Sequence, residues 1–161
     1  MNARRFGRTG WMVSQIGYGM WGMAGWTGSE DELFPACQEM DVAVIARVPF
    51  DEGSLTGTLT PESKWPQGDW RNTYFVPENL KASIEHAERL IPLLPAGMTL
   101  PEMALRFILN HPAVSTIIPG MRKEQHVRTN IACSTAGPLS QELHQSLCAH
   151  RWERKPTNWS Q

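Results

Sequence analysis

The 161-residue chain predicts an α/β fold of about three parallel strands, with an N-terminal hairpin and flanking helices, in a single domain spanning residues 1–161. Two observations carry this reading. Asp41 to Val48 (DVAVIARV) is a nearly continuous apolar run, the pattern of a strand buried on both faces of a parallel sheet, and Val114 to Ile118 is a second strand of the same kind. Around them, apolar residues return at helical spacing, so strands alternate with helices.

In chain order, Arg5-Phe6 and Met12-Val13 flank Gly7-Arg8-Thr9-Gly10, a hairpin turn over residues 4–14. Ser14 to Tyr18 reads as a short strand, after which Gly17, Gly19, Gly22 and Gly25 thin the backbone into a loop. Ser29 with Glu32 forms a capping box, which starts a helix from about Glu30 to Met40. Pro49 ends the strand that follows. Residues 50–76 are irregular, and a loop of that length is usually functional. Pro77 suits the first position of a helix whose apolar face is Leu80, Ile84, Ala87, Leu90 and Ile91. A second helix opens near Pro101, with Met103, Ala104, Phe107 and Ile108 on one face, and Asn110-His111-Pro112 stops it. Two more helices are expected at about 123–133 and 140–151.

Composition excludes several classes. With 15 basic and 16 acidic residues there is no nucleic-acid-binding balance. No apolar stretch approaches the roughly 18 residues of a membrane span. The start of the chain lacks a signal-peptide core. Three scattered cysteines, Cys37, Cys133 and Cys148, fit a reduced, cytoplasmic protein. No HExxH or similar spacing marks a metal site, and His86, His144 and His150 read as surface residues of helices.

Two segments point to an anionic ligand. Ile117-Ile118-Pro119-Gly120-Met121-Arg122-Lys123 is an apolar strand ending in Pro-Gly before a basic helix start, where backbone N–H groups and the dipole favour negative charge. Arg122 and Lys123, at the first helical positions, oppose that dipole unless an anion is present, and His126 and Asn130 continue the Arg122 face at i+4 and i+8. An ordinary strand-to-helix connection is the competing reading. The other segment is Pro49-Phe50-Asp51-Glu52-Gly53-Ser54-Leu55-Thr56-Gly57. Its glycines permit close approach, and Ser54 and Thr56 offer hydroxyls and N–H groups to a pyrophosphate; by itself it reads as a surface loop. Trp21, Trp26, Trp65 and Trp70 suit an apolar substrate mouth as well as they suit a core cover. Tyr18 is a candidate proton donor, against the commoner role of a core tyrosine.

Together these elements resemble the aldo-keto reductases, NADP(H)-dependent (β/α)8 barrels. Arg4-Arg5-Phe6-Gly7-Arg8-Thr9-Gly10 with Val13-Ser14, Ile16-Gly17 and Gly19-Met20-Trp21-Gly22 is similar to the family's hairpin and first barrel strand. Leu33 to Cys37, Val44 to Arg47, Pro49 and Gly53 to Gly57 are similar to its sixth helix and seventh strand. Ile117 to Asn130 is similar to its eighth strand and adenosine-phosphate site.

The resemblance implies an incomplete TIM-barrel-like unit without barrel strands two to six, which carry the family's catalytic Asp, Tyr, Lys and His. It implies NADP(H) as cofactor, with Pro49, Gly53, Ser54, Leu55 and Gly57 on the pyrophosphate and Gly120, Arg122, His126 and Asn130 at the adenosine end. Arg47 stands where many members stack an aromatic on the nicotinamide, and His126 and Thr129 replace a common Gln and Glu. The implied activity is weak NADPH-dependent reduction of a small aldehyde or ketone, with Tyr18 or Tyr74 as substitute donors. The alternative is a non-catalytic oligomerising or regulatory remnant.

Strand order is then in question. A barrel order of seventh, eighth, first strand within one chain would make the crossover from first to seventh left-handed, against a strong rule. Either the first strand moves to the other side of the seventh, or it pairs with a second chain. Both leave open edges, which predicts a homo-oligomer, a dimer.

Overall fold

The computed structural model describes residues 3–5, 11–14, 18–20 and 32–151. Strand β1 (Ala3–Arg5) pairs antiparallel with β2 (Met12–Ser14), Arg4 opposite Val13, as the hairpin pattern predicts. The hairpin turn, Trp21, Trp26 and the Ser29 half of the capping box lie outside the described residues. The first parallel strand, β3, is Tyr18–Met20 rather than Ser14–Tyr18, because Ser14 is taken up by the hairpin.

Helix α1 (Phe34–Glu39) is shorter than expected and leads to β4 (Val44–Arg47). Leu33 stands at its N-cap position and makes no side-chain cap, while Pro35 fixes the first turn. After β4 come a 3-10 segment (Asp51–Thr56), a single turn α2 (Arg71–Tyr74), and α3 (Pro77–Leu90), which opens on Pro77 as predicted. Helix α4 (Leu100–Leu109) is capped by the Thr99 hydroxyl, which accepts from the Glu102 N–H. Strand β5 (Val114–Ile118) and helices α5 (Glu124–Thr135) and α6 (Gln141–Cys148) complete the order.

The parallel sheet has the order β3-β4-β5. Of the two arrangements open to the first strand, the chain takes the one that moves it across β4, which removes the left-handed crossover. Burial then differs between strands. Val44 and Ala46 of β4 are buried, as the apolar run predicts. Strand β5 is not covered on both faces: Ser115, Thr116 and Ile118 are exposed, and among the described strands β5 pairs with β4 alone.

Among the described residues the buried apolar side chains form three small clusters. Phe34, Cys37, Val44 and Ala113 join α1 to the start of the sheet, with the Phe34 ring 4.4 Å from the His111 imidazole. Ala87, Leu100, Met103 and Leu139 join α3, α4 and the start of α6. Arg106 lashes the turn before α6 to α4: its guanidinium donates to the Gly137 carbonyl (3.1 Å), the Pro138 carbonyl (3.1 Å) and Glu102 (2.9 Å). His86, His144 and His150 are all half-buried rather than on the surface, with His144 stacked on Phe107 at 4.9 Å.

The third cluster orders the loop of residues 59–80. Tyr74, Phe75 and Leu80 are buried, with Leu59, Trp65 and Ile84 against them. Trp65 stacks on Phe75 at 5.2 Å, and the Arg71 guanidinium lies 5.5 Å from the Trp65 ring. Asp69 accepts two side-chain bonds from Arg71 (2.9 and 2.7 Å) and one from its backbone N–H (3.0 Å). The Arg71 side-chain bonds, then its N–H, lower the Asp69 pKa from 3.8 to about 2. This contribution is present above the ordinary value and is lost as pH falls through the folded one. Acid titration followed by near-ultraviolet circular dichroism should therefore lose aromatic signal between 3.8 and about 2. The Asp69→Asn variant should lack that step; an identical step in both would refute the assignment.

Candidate functional site

The two ligand-pointing segments meet at the C-terminal edge of the sheet. Arg47, the last residue of β4, is in register with Ile118, the last of β5. The chain segments leaving these residues therefore start about 5 Å apart, the spacing of neighbouring strands. In parallel α/β sheets this is the edge at which ligands bind.

The first segment is tightly folded. Val48, Asp51 and Glu52 have positive φ values of 53°, 51° and 56°. A β-branched residue in that region is an outlier that the surrounding structure must hold in place, and such strain collects at ligand sites. Gly53 follows at φ 106° and Gly57 at 70°, the two positions where close approach was expected. The Asp51 N–H donates to the Val48 carbonyl (2.9 Å), and the Gly53 and Leu55 N–H groups to Phe50 (2.9 and 3.1 Å). Pro49 and Ser54 are buried, and Leu55 is half-buried. Helices α3 and α4 both contact this segment, and α4 places Leu100 beside Gly57.

The hydroxyls behave differently from the sequence reading. Ser54 is 2% exposed, so its side chain faces inward. Thr56 donates to the Gly53 carbonyl at 2.6 Å and lies 2.7 Å from the Thr58 hydroxyl. What this loop presents to a ligand is backbone.

The second segment begins where β5 ends. Helix α5 starts at Glu124, with Lys123 as its N-cap in an extended conformation (φ −117°, ψ 147°) and no side-chain cap. Arg122 and Lys123 thus precede the helix instead of occupying its first positions, because Lys123 has not entered helical dihedrals. The first intrahelical bond runs from the Val127 N–H to the Lys123 carbonyl (3.2 Å), so the three N–H groups before it point out of the helix end. Arg122, Lys123 and His126 are exposed, and among the described residues Arg122 and Lys123 have no acidic partner. Glu124 is taken by Arg128 at 2.6 Å.

His126 and Asn130 share a face of α5. The Asn130 amide donates to the Gly120 carbonyl at 3.4 Å, tying the loop to the helix. The Thr129 hydroxyl bonds back to the Gln125 carbonyl (3.0 Å). The result is an uncapped helix N-terminus flanked by two cations, beside a strained backbone loop, with exposed Arg47 between them. Chemically, this arrangement can hold an extended dianion or trianion.

The structure does not bring either tyrosine to this edge. Tyr18 is the first residue of β3, in the row Tyr18–Val44–Val114 at the opposite end of the sheet. Three residue steps along β4 separate that row from Arg47, roughly 10 Å. Tyr74 is buried in the loop cluster, with its ring 4.9 Å from Phe75 and 5.8 Å from Trp70. Trp65 packs on that cluster and so covers a core, whereas Trp70 is exposed with its ring edge-on to Tyr74. Among the described residues, no three His, Cys, Asp or Glu side chains gather into a metal cluster, and no helix is long and apolar enough to cross a membrane.

Sequence reasoning missed the Asp69–Arg71 pair, which orders the 59–80 loop, and the Arg106 clamp between α4 and the turn before α6. The Thr99-Leu100-Pro101-Glu102 capping signature was legible beforehand. The Arg106 contacts span more than thirty residues and leave no local signal.

Comparison with known proteins identifies the family and the fold. The sequence profile of the Aldo/keto reductase family matches residues 1–151. The NADH-specific methylglyoxal reductase of Escherichia coli (strain K12) is 33% identical over 105 residues, covering 64% of this chain and 32% of that protein. The uncharacterized oxidoreductase YqkF of Bacillus subtilis (strain 168) is 28% identical over 123 residues, covering 74% and 38%. This chain thus spans about a third of the length of both relatives.

Among solved structures, the glycerol dehydrogenase AKR11B4 of Gluconobacter oxydans superposes with a TM-score of 0.65 at 20% identity, covering 76% of this chain and 38% of that one. The holo aldo-keto reductase AKR11C1 of Bacillus halodurans gives 0.58 at 24%, covering 91% and 44%. These likenesses show the fold: a few parallel strands and several helices matching part of a TIM barrel. The family generally uses nicotinamide cofactors, and the relative from E. coli is named for NADH. The chain belongs to the aldo/keto reductase family.

Proposed function

We propose that this chain binds NADP(H) along the C-terminal edge of its sheet and, as an oxidoreductase, reduces small reactive carbonyl compounds slowly. One observation carries the reading: the Arg47–Ile118 register sets the strained Val48–Gly57 loop beside an uncapped helix N-terminus flanked by Arg122 and Lys123, which have no acidic partner among the described residues. The loop's backbone suits a pyrophosphate, supported by Pro49, Gly53, Ser54, Leu55 and Gly57. The adenosine end falls to Gly120, Arg122, His126 and Asn130. The preference for NADP(H) over NAD(H) rests on the two cations, since an extra ribose phosphate adds the charge that they would pair. The relative from E. coli has the opposite preference in its name, so relatives do not carry this choice. That relative also supplies the first substrate to try, methylglyoxal.

Titration of NADPH and NADH fluorescence against the protein and its Arg122→Ala variant tests the reading. A charge-assisted contact at an exposed site predicts about a tenfold loss of NADPH affinity in the variant, with NADH unchanged within about twofold. The difference should shrink as salt rises. Absent NADPH binding, or equal affinity in both proteins, would end the proposal.

A second reading is a non-catalytic regulatory or oligomerising remnant of the family. The placement of Tyr18 at the far end of the sheet favours it. It predicts cofactor binding without turnover.

A further inference from the structure

We propose that His144 and Cys148 form a two-ligand site for Zn2+ at the C-terminal end of α6, with water completing the metal's shell. This rests on helix α6 and not on the cofactor reading.

The sequence His144-Gln145-Ser146-Leu147-Cys148 sets an imidazole and a thiol one turn apart on the same face of α6. The Cys148 Sγ lies 3.8 Å from the His144 Nδ1. That is a long reach for a hydrogen bond from a thiol, a weak donor. It is close to what a metal spans. With Zn–S and Zn–N bonds of about 2.3 and 2.0–2.1 Å, a tetrahedral angle puts the two ligand atoms about 3.6 Å apart. The pair therefore needs to close by only about 0.2 Å.

The imidazole is already fixed. Leu143 and Leu147 pack α6 against the cluster of Ala87, Leu100, Met103 and Leu139. The His144 ring stacks on Phe107 of α4, with 22° between the ring planes, and is half-buried. A ligand ordered beforehand loses less rotamer freedom when it binds. Cys148 is exposed, so a metal reaches the pair from solvent, whereas Cys37 and Cys133 are buried.

Position in the helix favours a bound cation over a reactive thiol. Nucleophilic cysteines sit beside positive charge, such as a helix N-terminus, which stabilises the thiolate. Cys148 is instead the last residue of α6, at the negative end of the helix dipole, where a dication is stabilised. On binding, the thiol gives its proton to solvent, and lone pairs of the sulfur and of Nδ1 fill two of the metal's four positions. Among the described residues no three His, Cys, Asp or Glu side chains gather, so water takes the other two. One thiolate and one imidazole select Zn2+ or Co2+ over Mg2+ and Ca2+, which take oxygen ligands.

Titration with Co2+, under a phosphine reductant and without chelating buffer, tests this, because a cobalt–thiolate bond adds a charge-transfer band in the near ultraviolet. Wild type should give the band and saturate at one metal per chain; Zn2+ should abolish it and excess Mg2+ should not. Cys148→Ser should lose the band. His144→Phe keeps a ring on Phe107 but offers no lone pair. It should weaken binding at least about a hundredfold, the upper end of what losing a merely supporting partner costs. No band in wild type, a band that survives Cys148→Ser, or wild-type affinity in His144→Phe overturns the proposal. Should the variants fold poorly, the wild-type protein answers instead. Zn2+ should slow alkylation of Cys148 by iodoacetamide, followed by peptide mass, and Mg2+ should not; a rate unchanged by Zn2+ overturns the site. NADPH affinity is a separate quantity, so each proposal fails on its own.

Discussion

Replacing Phe34 with Ala is expected to cost about 3–5 kcal/mol of stability, the usual range for emptying a buried aromatic site. Phe34 is 1% exposed and fills the space between α1, Val44 and Ala113, with His111 against its ring. The effect should sit at the top of the range because this cluster is small and lies apart from the other two, so little surrounding structure can collapse into the cavity. Domains of this size are stable by only about 5–15 kcal/mol, so the variant should be partly unfolded at room temperature. Urea unfolding followed by circular dichroism measures it. A loss under about 1 kcal/mol would mean that α1 is not packed on the start of β4.

Reduction of small reactive carbonyls by this chain is expected to run about 10²–10⁴-fold slower than by full-length members of the family, the usual worth of general acid catalysis. The resemblance places the family's catalytic Asp, Tyr, Lys and His on strands without counterpart here. The register then removes the obvious substitute, because Tyr18 and the Arg47–Ile118 edge lie at opposite ends of the sheet. Tyr18→Phe should accordingly leave any residual rate unchanged. Loss of NADPH absorbance across dicarbonyls and aromatic aldehydes gives the measurement. A rate matching full-length members, or one that falls with Tyr18→Phe, would overturn this account of the site. No turnover at all, with cofactor binding intact, would select the regulatory reading.

How much of this was legible beforehand varies by element. Helices α3 and α4 were legible because their apolar faces recur every three or four residues and proline marks both starts. Strand β4 was legible as an unbroken apolar run. The first parallel strand was displaced, since glycines at 17 and 19 give no alternation from which to place it. Helix α5 was shifted for a related reason: nothing in Arg122-Lys123 says whether they fall inside or before the first turn, and the extended dihedrals of Lys123 decided it. The loop of residues 50–76 read as irregular, yet a salt bridge between Asp69 and Arg71 and stacking on Trp65 order it.

By itself the sequence determined the class of fold and the family, and marked the two segments proposed here to meet phosphate groups. Each is written in local signals: hydrophobic period, proline and glycine placement, and the Pro119-Gly120 turn before a basic stretch. Only the tertiary structure decided strand order, and with it which end of the sheet each residue occupies. Order depends on which strands pair, and pairing joins Val44 to Val114 across seventy residues that no local pattern connects. Strand order also decided that β5 would be an edge among the described strands, that the two segments proposed to meet phosphate would start side by side, and that Tyr18 would lie away from both.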